Sequence, residues 1–569
     1  MRNLDRQGVA VPRSPVSPRP GIAARRAAST CQRRGMVLVV VLVVVAVLAL
    51  AAYAFQDVML AENEVTQMVG RQIQAYSLAA SGVAHTQAFL MQDPATQTDA
   101  GGLYDNSTQF QAMTVVQEEG ETDVGRFTVV APALDTEGNA SGIRCGLEDE
   151  SARINLNALT QLEKDVKALS AAGIAVPTAA PAGSQTPADE ANGSSSADTS
   201  ARNLLMALPG MTEDVADAIL DWLDEDSEPR EFGAEAEYYN GLSPAYSPRN
   251  GQIETVEELL LVRGVTPQLL FGADVNRNGT IDAGEMDQSG AAMATDTQTL
   301  STGWASRLTL YSRENNVNSM GASRINLSED NLQTLYESLQ DVVPEEWAIF
   351  IVAYRQNGAY EGSETGETYS SGELDLSQAS KTKFTQVLDL VGKKVQVKFS
   401  GAENATILQS PFGEDLVSMG TYMSTLMDLV TIVTDPVIHG RININQAPRD
   451  ILLGIPGMTE EIAEQIIGQR DPSAADPAYG HETWLLTQGL VTLDEMRSLM
   501  PFVCAGGDAY RAQVIGYYDD GRAASRLEVV LDATQQPARV LLWRDISHLG
   551  RGYALETLGV SAAGETALP

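Results

Sequence analysis

Twenty residues without a charge, Met36 to Phe55, follow directly on Arg33-Arg34-Gly35 in this chain of 569 residues. A helix of that length rises about 30 Å, the thickness of the hydrocarbon core of a bilayer. Valine and leucine dominate it and no polar side chain interrupts it. A secretory signal core is shorter, about 7–15 residues, and ends at small residues. Ala46, Ala49, Ala51 and Ala52 are the positions that would serve that second reading. Arginines precede the run, whereas Gln56, Asp57, Glu62 and Glu64 follow it. The positive-inside rule therefore puts the N-terminus in the cytoplasm and the rest outside. Val58, Val65, Met68, Val69, Ile73, Leu78 and Val83 continue at helical spacing with no proline between them. One helix is expected to leave the membrane and enter the folded head.

Charge is unevenly placed. The chain has 38 basic and 75 acidic residues, a net −37, yet residues 1–35 hold eight arginines and one aspartate. The chain beyond residue 35 is therefore repelled by phosphate backbones and anionic lipid heads. Cys31 lies before the apolar run; Cys145 and Cys504 either pair in an oxidising compartment or stay as buried thiols.

Strand patterns sit near both ends. "RFTVVAPAL" and "SGIRCGL" are one group; "AYRAQVIGYY", "ASRLEVVLD" and "ARVLLWRD" are the other, with a turn at Asp519-Asp520-Gly521. Helical patterns fill the middle, so the expected class is α+β, an antiparallel sheet with a large helical insert. The middle is also repetitive. "ARINLNAL" at Ala152, "SRINLSED" at Ser323 and "GRININQAP" at Gly440 each lead into a helix. Asn157, Ser328 and Asn445 are placed to cap those helices. Pro209-Gly210 and Pro456-Gly457 turn the chain, and Thr212 and Thr459 are placed to cap the helices that come next. Residues 171–203, rich in alanine, serine, proline and glycine, read as a linker.

Helix, Pro-Gly turn, helix is also the hairpin with which some proteins hold DNA phosphates. Here the hairpins carry Glu213, Asp214, Asp217, Asp221, Asp224, Glu225 and Asp226, and later Glu460, Glu461 and Glu464. Those carboxylates repel phosphate, so packing or protein contact is the expected use and no nucleic acid is expected. The competing reading is an extracytoplasmic DNA-binding minor pilin of a competence or type IV pilus.

"DVNRNGTIDAGE" fits the twelve-residue calcium loop D-x-[DN]-x-[DN]-G-x5-E. Asp274, Asn276 and Asn278 supply side-chain oxygens, Thr280 its carbonyl, Asp282 a ligand through water, and Glu285 a bidentate carboxylate; Gly279 permits the sharp turn. Hard oxygens at this spacing suit Ca²⁺ in a structural role, with the weak affinity of extracellular modules, roughly 10⁻⁴–10⁻³ M. The acidic runs "LDEDSEPRE" and "EDE" (Glu148–Glu150) read first as solvated faces and second as a further calcium site. His85, His439, His481 and His548 form no ligand pattern, and no catalytic constellation emerges.

The Arg-Arg-Gly junction before a long apolar helix resembles a type IV prepilin signal. That resemblance implies cleavage by prepilin peptidase between Gly35 and Met36, with Met36 as the N-methylated mature terminus. Most pilins carry glutamate at mature position five; this chain has Val40, which fits the one branch that lacks that glutamate. The segments "LEDESARINLNAL", "DWLDEDSEPREFGAEAEYYNGLSPAYSPRNGQIETVEELLLVRGVTPQLL", "RININQAP", "YSLAASGVAHTQAFL" and "ARVLLWRD" resemble the K-type minor pseudopilin of type II secretion, general secretion pathway protein K. The resemblance implies a non-catalytic subunit at the pseudopilus tip that supports assembly and export across the outer membrane. Its implied partners are I- and J-type minor pseudopilins, the major pseudopilin, prepilin peptidase and membrane lipid. Its implied location is the bacterial inner membrane, single-pass, with a periplasmic head, and calcium binding is implied without naming ligands. The implied division is a leader 1–35, a transmembrane segment 36–55 and its continuation 56–95. A pilin-like part 96–150 precedes a helical insert 151–300, a second repeat 301–360, a connection 361–440, a third repeat 441–505 and C-terminal strands 506–569. A compact head of this length is about 60 Å across, against about 10–12 Å for one helix, which favours the free end of a thin shaft. Mass spectrometry of the membrane-extracted chain is expected to read Met36 as the first residue; a start at Met1 or after Ala52 refutes the processing site.

Overall fold

The computed structural model describes residues 34–117, 124–171, 199–282, 285, 302–364, 366–367, 372–473 and 476–560. The expected leader up to residue 33 and the core of the expected linker, 172–198, lie outside them. The chain divides into two compact units, Met1–Val69 and Gly70–Pro569.

One helix, α1 (Arg34–Leu90), carries the apolar run onward as the sequence predicts. Among the described residues it is the one helix long and apolar enough to cross a membrane. In the first unit its side chains from Val37 onward are exposed.

The second unit begins on α1, where Ala75, Leu78, Ala79, Val83, Thr86 and Leu90 recur at three- and four-residue spacing and are buried. They lie on a twisted antiparallel sheet. Its strands are β1 (Met113–Gln117), β2 (Val124–Leu134), β3 (Ala140–Cys145), β4 (Ala509–Tyr518), β5 (Ala524–Asp532) and β6 (Arg539–Asp545). The order is β1-β2-β4-β5-β6, with β3 beside β2 and a two-residue strand, Glu148–Asp149, beside β4. Chain ends far apart in sequence are thus neighbours: Phe127 faces Gly516 and Val129 faces Val514. Between Cys145 and Ala509 lie the helical repeats.

Two glycines set how closely α1 sits on the sheet. A Cβ at Gly516 would stand 2.2 Å from the Ala75 carbonyl oxygen, and one at Gly82 would stand 2.5 Å from Val514. Helix and strand therefore meet backbone to backbone, over a core of Val83, Phe89, Phe110, Phe127, Val129, Val514, Leu527 and Val529. The opposite sheet face buries Val130, Ile515, Tyr517, Tyr553 and Leu558.

Each repeat opens with an Ile-Asn pair that forms a parallel two-residue ladder with a much later segment. Ile154-Asn155 pairs with Leu308-Thr309, Ile325-Asn326 with Val430-Thr431, and Ile442-Asn443 with Val503-Cys504. The first asparagine of each motif makes the local turn: Asn155, Asn326 and Asn443 accept the N–H of Asn157, Ser328 and Asn445. This corrects the expected caps, because Asn157 and Asn445 are used elsewhere. Asn157 exchanges two bonds with the Ile253 backbone (2.9 and 3.0 Å), and Asn445 donates to the carbonyls of Tyr479 and Ala505. Thr459 caps its helix as expected, while Thr212 donates to Asp214 instead. Gly210 and Gly457 adopt the left-handed conformation their turns require (φ 71° and 84°). A further hairpin of the same kind, Val262 to Thr266, turns at Gly264 (φ 82°), where a Cβ would stand 2.6 Å from Val215 of the first hairpin.

The expected linker is narrower than 171–203. Helix Leu159–Ala171 reaches its first residue, and helix Ser200–Met206 occupies its end because Ala201, Leu204 and Leu205 bury into the main core. The expected connection 361–440 holds a hairpin, Lys394–Val397 with Thr406–Gln409, and the helix Leu416–Leu429. Cys145 and Cys504 are separate buried thiols. Gly516→Val is expected to destabilise the fold by about 1–3 kcal/mol in denaturant titration. Gly468→Ala, on a helix with open space around it, is expected to be neutral or stabilising by up to about 1 kcal/mol.

Candidate metal centres

The Asp274–Glu285 loop closes on itself as its spacing predicts. Asp274 accepts the backbone N–H groups of Asn278 (3.1 Å) and Gly279 (2.9 Å), with Gly279 at φ 82°. Glu285 accepts those of Asn276 and Asp282, both at 3.0 Å. The Asn276 and Asn278 amides donate to Asp282 (2.8 and 3.0 Å), and Thr280 donates to Asn278. All six predicted residues are therefore drawn together. Three carboxylates, two amide oxygens and a carbonyl make a hard-oxygen set that fits Ca²⁺. Asp274, Asn278 and Glu285 are buried. Desolvation pushes the Asp274 carboxyl up to about 6, and nearby Glu285 adds to it. The loop also reaches the sheet: Gln513 of β4 donates to the Arg277 carbonyl, and Asn278 donates to that of Gly552. Gly35 and Met36, the expected processing pair, lie in the first turn of α1.

A second acidic centre lies where the sequence suggested a solvated face. Asp224 follows the helix Glu213–Leu223, Asp226 sits in the next turn, and Glu235 precedes the helix Ala236–Asn240. Among the described residues these are the three acidic groups whose ligating oxygens all lie within 4.8 Å of one another. Glu235 is 5% exposed; the Asn250 amide and the Ala236 N–H approach its carboxylate, but neither reaches good hydrogen-bond geometry. Asp224 Oδ1 and Asn250 Oδ1 are buried without partners as well. Four buried acceptors without donors are costly unless a cation supplies the missing positive charge.

The surrounding carboxylates show the contrast. Asp217 is fully buried and paired with Arg202 through two 2.7 Å bonds. Asp221, also fully buried, accepts the Arg230 backbone N–H at 3.2 Å. A Cβ at Gly233 would stand 1.8 Å from its Oδ2, so only glycine fits there. Arg230 is shared with Glu163 at 2.9 Å and approaches Asp224 only to 3.6 Å. Desolvation first, and then Asp226, pushes Asp224 up to about 7; desolvation pushes Asp221 up to about 6. The signal in the sequence was Asp221, Asp224 and Asp226 crowded around Trp222, a residue that cannot stay exposed; Trp222 is 2% exposed.

Residues 152–271 match the family model for protein K of the type II secretion system. That segment, about a fifth of the chain, is what resembles protein K. Asp224, Asp226 and Glu235 lie inside the protein K segment, whereas the Asp274 loop begins just past its end. Protein K is a structural component of the secretion apparatus and is not known as an enzyme. Among solved structures, the chain is similar to one in the GspK–GspI–GspJ complex from the type 2 secretion system of enterotoxigenic Escherichia coli. The two share 11% identity over 86% of this chain and 98% of that one, with a TM-score of 0.31; a score so low establishes no shared fold. No curated protein matches the chain. The protein K match and one long apolar helix are consistent with a single-pass inner-membrane anchor.

Carboxyls raised in the folded state stabilise it below their unfolded value, and that contribution is lost as pH rises through the folded one. For Asp224 the window runs from about 4 to about 7. In chelator, Asp224→Asn is expected to match the parent at pH 4 and to exceed it at pH 7 by about 2 kcal/mol. Chemical denaturation at the two pH values measures this.

Proposed function

We propose that this chain is a minor pseudopilin at the tip of a type II secretion pseudopilus, where it supports assembly and export across the outer membrane. The observation that carries this is the protein K segment within a head that opens on α1. In this reading α1 first anchors the precursor in the inner membrane, with the arginine-rich leader cytoplasmic and the head periplasmic. Prepilin peptidase then cuts between Gly35 and Met36. The helix leaves lipid to pack with I- and J-type minor pseudopilins above the major pseudopilin. With Val40 in place of an acidic residue, it makes those contacts by apolar packing alone. The head is a scaffold, with no turnover and no nucleic acid partner. The exposed Glu460 and Glu464 beside the Pro456-Gly457 turn oppose a phosphate at that hairpin.

Calcium is assigned two structural places. One is the Asp274–Glu285 loop, through Asp274, Asn276, Asn278, Thr280, Asp282 and Glu285. The other is the protein K centre, through Asp224, Asp226 and Glu235. A cation at either offsets the desolvation of buried carboxylates and ties the segments that carry them.

Deleting the gene is expected to trap the cell's type II cargo in the periplasm, with export restored by the parent and not by Gly35→Leu. Undisturbed export in the deletion strain overturns the secretion role. Calcium is expected to raise the melting temperature of the detergent-solubilised chain, with Asp274→Ala and Asp224→Asn each removing part of the rise. A melting temperature indifferent to calcium in the parent refutes both sites.

A further inference from the structure

Where the three repeats meet, the head opens into a cleft of about 960 Å³, at the upper end of the roughly 300–1,000 Å³ typical of ligand sites. Every repeat lends it an apolar wall: Leu162 from the first, Ile432 from the second, Ile438 and Met500 from the stretch that leads into and through the third.

Two polar groups on this cleft keep hydrogen-bonding atoms that the fold leaves unmet, although Arg324 lies near Glu314 and Glu482 and Gln386 begins the short helix Val387–Leu390. Gln386 is 5% exposed, and neither its Nε2 nor its Oε1 has a hydrogen-bond partner. Asp389 takes only its backbone N–H, at 3.2 Å. Arg324 also lines the cleft, and its buried Nε is unpartnered. The other two arginines on the wall are engaged: Arg313 with Asp532 at 2.9 Å, and Arg441 with Glu314 at 2.6 Å and Glu482 at 3.0 Å. An unsatisfied buried amide destabilises the fold, and the same residue as leucine would avoid that cost.

The unmet groups specify what would meet them. A side-chain amide with donor and acceptor both free is complementary to one peptide group, which offers one of each. A guanidinium with unused N–H donors is complementary to a carboxylate. Aliphatic walls with a methionine accept branched side chains of more than one shape. Net charge of −37 repels a polyanion at long range; at the cleft itself Asp165, Asp435 and Glu482 stand among Arg313, Arg324 and Arg441.

We propose that this cleft binds an extended segment of another polypeptide, one with a carboxylate side chain among aliphatic residues. The carboxylate lies on Arg324 and a neighbouring peptide group on Gln386. This goes beyond the tip-scaffold reading, because it gives the head a recognition surface that assembly through α1 does not need.

The test uses the full chain in detergent and a fluorescein-labelled octapeptide of alternating valine and leucine with one central glutamate. Fluorescence anisotropy is expected to show binding about tenfold tighter than for the peptide with glutamine at that place. Arg324→Gln is expected to erase the preference and Arg324→Lys to keep part of it. Gln386→Leu is expected to weaken both peptides severalfold while the melting temperature holds or rises. Equal affinity for the two peptides, no binding by a folded parent, or a preference that survives Arg324→Gln overturns the proposal. So does decanoate displacing the peptide at matching concentration, which would mark a site for small carboxylates. Binding that appears only after residues 172–198 are deleted also overturns it.

Discussion

Two hydrogen-bonded residues make a negligible sheet, yet three such pairs hold the head together. Ile154, Ile325 and Ile442 each bring their repeat's start alongside a segment that the chain reaches only after the repeat's helices are complete. The asparagine beside each isoleucine turns the chain locally, and in two of the three repeats the next asparagine bonds to a distant backbone. Buried amides of this kind have to be satisfied or they destabilise, so each motif permits one closure of its repeat. In the second repeat, where Ser328 is too short to reach, fully buried Arg355 bonds the carbonyls of Ser328 and Glu329 instead.

That closure places the rest. With the repeats folded between Cys145 and Ala509, β2 and β4 are free to pair, and α1 settles on them through Gly82 and Gly516. The repeats also carry the Asp274 loop against β4, where Gln513 takes the Arg277 carbonyl. The same packing concentrates charge. Asp217 and Asp221 have arginine or backbone partners, while no donor reaches Glu235 in good hydrogen-bond geometry. A buried carboxylate without a donor is costly unless a positive charge meets it.

Apart from β1 (Met113–Gln117), the long strands of the sheet were legible nearly residue for residue. Ala509–Tyr518 and Ala524–Asp532 coincide with their predicted segments because β-branched runs bounded by a Gly turn leave little choice. The closure of the Asp274–Glu285 loop was legible for a similar reason, its hydrogen-bonding residues lying within twelve positions. The Asp224 centre was not, because its oxygens come from two loop segments that flank a buried tryptophan, and burial is what separates it from a solvated acidic run. The Leu416–Leu429 helix was missed because glycine, serine and threonine interrupt its apolar face. The caps were placed two residues too late in each motif, since either residue can accept the bond and only the distant partner decides which is free.

By itself the sequence determined the apolar rod, the order of strands and repeats, and the oxygen-rich loop after the second hairpin. Each of these depends on neighbours along the chain, where spacing alone dictates geometry. Only the tertiary structure decided which carboxylates are stripped of water, which asparagine reaches across the core, and which guanidinium and amide are left facing a cleft. Those outcomes depend on residues scores of positions apart being brought within hydrogen-bond distance, and no local pattern encodes which of several chemically equal partners arrives.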